Sequence, residues 1–82
     1  MLRLAMLEMR PGCERCDVDL PPDQTGAWVC SFECTFCTDC ANDDFQRVCP
    51  NCGGELVHRP TRVGDALRKH PGSTLRIHNP PS

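Results

Sequence analysis

The chain is poor in the residues that build an apolar core. Its 82 residues include no Tyr, one Trp and three Phe. A domain this small gains little from apolar burial alone and needs another source of stability. That shortage argues against a self-sufficient hydrophobic fold and against enzymes that wall off a deep pocket. Long hydrophobic runs are missing too, since no stretch approaches the ~20 apolar residues of a membrane span. The first ten residues are mildly apolar, but Arg3, Glu8 and Arg10 interrupt them. They offer no signal-peptide core of ~7–15 residues. The expected location is therefore the cytoplasm, away from membranes. Lysine is scarce as well, one against eight Arg, a bias that suggests a G/C-rich bacterial genome.

Excess charge of one sign is also lacking, at a net −2, but the charges are segregated. Residues 1–58 carry ten acids and four bases, whereas residues 59–82 carry five bases and one acid. An acidic body repels nucleic acid, so only the basic tail offers a footprint for it. A solubilising role for that tail is the simpler reading. Three sections are therefore expected. Residues 1–10 form an N-terminal lead, with Met6 and Met9 as alternative starts to Met1. Residues 11–58 form the domain. Residues 59–82, with four Pro and scattered charge, form a mostly disordered tail containing at most a helical turn or two near residues 63–69.

What the chain has in abundance is cysteine. Cys13, Cys16, Cys30, Cys34, Cys37, Cys40, Cys49 and Cys52 all fall within the middle section. In a reducing compartment such a pattern reads as metal binding before disulfides. A tight Cys-x-x-Cys turn lets both sulfurs reach one ion at about 2.3 Å, while turn N–H groups donate to them. Cys49-Pro50-Asn51-Cys52-Gly53-Gly54 carries the strongest turn chemistry, because Pro sets φ on entry and Gly admits unusual angles on exit. Eight thiolates supply two closed four-cysteine sites, the structural rather than the catalytic arrangement of zinc.

Two pairings are open. Sequential pairing joins the first four cysteines and the last four. Interleaved pairing puts Cys13, Cys16, Cys37 and Cys40 on one ion and Cys30, Cys34, Cys49 and Cys52 on the other. Cys34 and Cys37 sit so close that two compact sequential sites would crowd each other, which favours the interleaved form. Interleaving also closes longer loops.

Local patterns place the remaining pieces. Asp19–Gly26 is a turn-rich loop, Ala27–Phe32 is β-prone, Thr38–Gln46 reads as a short helix capped by Thr38 or Asp39, and Glu55–His58 reads as a closing strand. Trp28, Phe32, Phe36, Phe45, Leu56 and Val57 are the expected mini-core, with Trp28 alternatively a partner-binding aromatic. His58, His70 and His78 lie outside the ligand spacing and are expected at the surface, with His58 alternatively a substitute metal ligand. Asp39, Asp43 and Asp44 are expected on a solvated helix face.

The cysteine spacing resembles the RING finger, a cross-braced two-zinc module ending in Cys-Pro-x-Cys, with Cys34 standing where RING fingers commonly carry His. The resemblance spans about residues 11–58. It implies a small metal-stabilised α+β fold around two Zn²⁺, with treble-clef-type knuckles, one short helix and a short β-hairpin. More narrowly, the stretches Met6–Cys13, Cys30–Cys40 and Cys49–Leu56 look like a family of small bacterial proteins known as domain of unknown function 1272. That likeness implies a start near Met6 and brings no activity. Departures from ubiquitin-ligase RING fingers are plain. Arg15 replaces an apolar residue, Gly53 follows the last ligand where a basic residue is common, and the interval from Cys40 to Cys49 is short.

The expected function is a non-enzymatic zinc-binding module acting on another protein, with no small-molecule substrate and no nucleic acid. Rival classes are an iron–sulfur or iron electron carrier, a RING-type ligase and a weak nucleic-acid binder using the tail. The run Cys34-x2-Cys37-x2-Cys40 partly mimics a ferredoxin motif, but its fourth interval is too long and four cysteines are left over. A thioredoxin-like role for Cys-x-x-Cys lacks the surrounding βαβ pattern.

Overall fold

Behind the turn-rich loop, Gly26 takes φ +111°, a conformation that L-residues rarely adopt. It delivers the chain into β1 (Ala27–Val29), whose three residues are all buried. β1 is the centre of a three-stranded antiparallel sheet. β2 (Thr35–Cys37) pairs on one side with Trp28 opposite Phe36, and β3 (Val57–His58) pairs on the other with Trp28 opposite His58. The computed structural model describes residues 7–78. The alternative starts Met1 and Met6 and the last four tail residues lie outside it.

Beyond β2 the chain turns helical, ending in a π-helical turn over Cys40–Asp44 closed by Phe45 N–H on Cys40 O at 3.0 Å. The expected side-chain cap is absent. Asp39 makes no capping bond. The Thr38 hydroxyl is otherwise engaged, donating to Gly26 O at 3.0 Å and accepting from Trp28 Nε1 at 3.2 Å. β2 was not visible in the sequence, because its three residues are bracketed by metal-type cysteines rather than by turn residues.

Two loops share one hydrogen-bond plan. In Pro11–Leu20, Cys13 N donates to Val18 O (3.0 Å), Asp17 N to Cys13 O (2.9 Å) and Leu20 N to Pro11 O (2.8 Å). In Arg47–Leu56, Cys49 N donates to Gly54 O (2.8 Å), Gly53 N to Cys49 O (2.9 Å) and Leu56 N to Arg47 O (2.9 Å). Each loop thus presents a Cys-x-x-Cys pair in the same turn and ends in a buried leucine.

The core contains Leu20, Trp28, Phe36, Ala41 and Leu56 around the buried cysteines, and Phe45 meets Phe36 edge-on with centroids 4.9 Å apart. Phe32 and Val57, expected inside, are 72% and 47% exposed. Phe32 sits in the β1–β2 turn next to Ser31, which is also exposed. Val57 lies on an edge strand only two residues long. Leu20, assigned to the loop, fills part of the space instead.

After residue 58, arginine side chains tie the chain back to the domain. Arg59 is 5% exposed. Its guanidinium donates to Arg10 O (2.8 Å), Leu20 O (2.9 Å) and Pro21 O (3.2 Å). Arg62 donates to Leu7 O and His70 O, and α1 (Gly64–Lys69) follows with every residue off the core. Arg76 then pairs with Asp17 and Asp19. These ties run from arginine side chains to backbone carbonyls and carboxylates, so they leave no apolar periodicity to read.

Candidate metal centres

The two knuckle loops, the hairpin turn and the start of the helical turn supply the sulfurs. Cys13 and Cys16 come from the first loop, Cys37 ends β2 and Cys40 opens the π-helical turn. Their four sulfurs all lie within 4.8 Å of one another. Cys30 follows β1, Cys34 precedes β2 and Cys49 opens the second loop's pair, and these three sulfurs also gather within 4.8 Å. Cys52, exposed, is not among the three sulfurs so gathered. The groups alternate along the chain, as in the interleaved pairing. No His belongs to either group among the described residues.

The donor set fits a tetrahedral thiophilic ion. The Cys16 and Cys37 sulfurs are 3.7 Å apart. That is far beyond a disulfide bond of about 2.05 Å and close to the ~3.8 Å edge of a tetrahedron with 2.3 Å metal–sulfur bonds. Backbone N–H groups already point at the sulfurs, with Phe32 N 3.3 Å from Cys30 Sγ, Cys40 N 3.5 Å from Cys37 Sγ and Gly54 N 3.4 Å from Cys52 Sγ. Such N–H···S bonds spread thiolate charge and orient the ligand.

Proton affinities tell the same story. Burial opposes ionisation of Cys13, but N–H groups of Cys16, Cys37 and Arg15 outweigh it and bring its thiol below the ordinary value. Cys30, buried too, is lowered by the Phe32 N–H and by its cysteine neighbours. Burial pushes the thiols of Cys34, Cys37, Cys40 and Cys49 up, and it outweighs the N–H groups and sulfurs nearby that favour the thiolate. The Gly54 N–H favours the Cys52 thiolate, yet desolvation and the Cys49 and Cys30 sulfurs leave it raised. Crowded thiols cannot all ionise unless a cation compensates them.

Beside the first group runs a groove of about 550 Å³ whose walls include Arg15, Val18, Leu20, Asp39 and Asp44. Arg15 spans it, 3.0 Å from Asp44 and 3.8 Å from Cys40 Sγ, with its guanidinium 6.0 Å from the Phe45 ring centre. Asp44 is thus paired, whereas Asp39 and Asp43 are exposed as expected. His58 is exposed yet stacks on Trp28 with ring centres 4.0 Å apart.

Three residues beyond the cysteines matter to the site and were not singled out by sequence reasoning. Glu14 is buried between Cys13 and Cys16, Asn51 sits between Cys49 and Cys52, and Arg59 ties the lead to the loop. Nothing in a Cys-x-x-Cys motif marks which intervening residue turns inward. Among the described residues no helix is long and apolar enough to cross a membrane.

Comparison with known proteins agrees with the short stretches singled out above. The pattern that defines the family "Protein of unknown function (DUF1272)" matches residues 6–62. An uncharacterised protein of Rhizobium meliloti (strain 1021) is 56% identical over 75 residues, covering 92% of this chain and 89% of that protein. No solved structure matches. With the family pattern spanning most of the chain and a close relative aligned along nearly all of it, the protein belongs to the DUF1272 family.

Proposed function

We propose that this protein is a non-enzymatic zinc-binding module that acts through contacts with another protein in the cytoplasm. Two structural zinc ions are held in a RING-like cross-brace. Cys13, Cys16, Cys37 and Cys40 form one tetrathiolate site, and Cys30, Cys34, Cys49 and Cys52 form the other. The observation that carries this reading is the alternation of two sulfur groups along the chain, one of them with all four sulfurs within 4.8 Å. Zinc would compensate the thiolates and supply folding free energy that a core this thin lacks. The exposed Phe32 at the hairpin tip supports a role in contact rather than in catalysis. Arg15 argues against a ligase-type groove, since it fills with charge a position that ligase RING fingers keep apolar.

The test is metal content per chain, by plasma mass spectrometry, alongside a visible absorption spectrum of the same sample. Two zinc ions and a colourless solution are expected. Iron with visible absorption would replace the proposal with an iron-binding carrier or sensor, since four thiolates also suit iron. Loss of secondary structure on chelation should accompany loss of the metal.

A further inference from the structure

We infer that Glu14 couples the two metal sites, so that filling one favours filling the other, a coupling that presupposes the two-zinc reading above. Glu14 lies in the first knuckle, but its carboxylate is buried, 3% of the residue being exposed. Oε2 accepts from Thr35 N at 2.7 Å and from Arg10 Nη1 at 2.8 Å. Oε1 accepts from Asn51 Nδ2 at 3.4 Å. Thr35 stands between Cys34 of the second group and Cys37 of the first. Asn51 stands between Cys49 and Cys52. From the first knuckle, one carboxylate therefore reaches two other ligand-bearing segments, and the three together carry ligands of both groups.

A buried carboxylate keeps its place only while its donors keep theirs, because removing any of them leaves charge uncompensated in a low dielectric. An ion on Cys13, Cys16, Cys37 and Cys40 fixes the first knuckle and hence Glu14. Glu14 in turn holds Thr35 and Asn51, which sets the spacing of the second group before its ion arrives. The alternating chain order couples the sites through backbone as well. The carboxylate supplies the part that a substitution can remove.

Native mass spectrometry of the reduced full chain during zinc titration tests this. At one equivalent, two equal and independent sites leave about half of the chains singly loaded, and tenfold coupling lowers that to about a quarter. The native chain is expected at a quarter or below. Glu14→Gln keeps the size of the side chain and removes its charge, and Asn51→Ala removes one donor from an exposed position. Each should raise the singly loaded share toward half while excess zinc still loads two ions. Asn51→Ala in the Glu14→Gln background should add little. A native chain that is half or more singly loaded overturns the coupling. So does an Asn51→Ala effect of equal size in both backgrounds. A chain that takes fewer than two ions in excess zinc overturns the two-zinc reading itself.

Discussion

Asp17 and Gly53 occupy the same place in two matching loops. Each is the residue after a Cys-x-x-Cys pair, each donates its N–H to the carbonyl of that pair's first cysteine, and each has positive φ, 64° and 78°. Glycine takes this conformation without steric cost. Asp tolerates it better than most residues, and here its side chain also pairs with Arg76.

Gly53→Ala is therefore expected to destabilise the metal-loaded protein by about 1 kcal/mol. Apart from its immediate chain neighbours, no heavy atom lies within 4 Å of an added Cβ, so the cost is backbone strain and not a clash. Thermal melting of the two proteins at equal metal content would show it. An unchanged midpoint would mean that the loop relaxes out of the left-handed region.

Loss of a ligand should be far more damaging than loss of a tail histidine. Cys37→Ser and Cys49→Ser should each unfold the domain, because in the proposed two-zinc arrangement each would open a site that holds several segments at once. His70→Ala, at an exposed position away from both sulfur groups, should leave melting unchanged. Circular dichroism with metal analysis decides this, and a folded, fully metallated Cys49→Ser protein contradicts the paired tetrathiolate arrangement.

Metal affinity should fall as pH falls. Without a cation, Cys34, Cys37, Cys40, Cys49 and Cys52 have thiols raised above the ordinary value and stay protonated at neutral pH. Bound to metal they are thiolates, so loading releases protons and acid reverses it. Each proton released makes apparent affinity change by about tenfold per pH unit. Competition with a chromophoric chelator between about pH 6 and pH 8 measures the slope, and a flat profile argues against thiolate ligation.

The arginines beyond the last cysteine should differ in weight. Arg59→Ala strips the bonds from three backbone carbonyls and opens a buried space, an expected loss of about 2–3 kcal/mol. Arg76→Ala removes a partly exposed pairing with Asp17 and Asp19, an expected loss below about 1 kcal/mol that fades with salt. Chemical denaturation of both variants in low and high salt separates them. Equal losses would place Arg59 in a more solvated setting than its burial indicates.

The residues themselves determined the chemistry. Eight cysteines in a chain with one Trp and no Tyr call for cross-linking through sulfur, and the Cys-x-x-Cys spacing favours metal over disulfides. Local turn residues likewise marked the loop before β1, and the short pattern near residue 64 marked α1, since both depend on near neighbours along the chain. The tertiary structure alone decided the rest. It turned Glu14 inward and left Arg15 beside it facing the groove, although both occupy the same motif. It buried Arg59 against three carbonyls and left Phe32 in solvent. Those outcomes depend on which segments meet across long loops, and hydrogen bonds from side chains to distant backbone leave no periodic trace in the sequence.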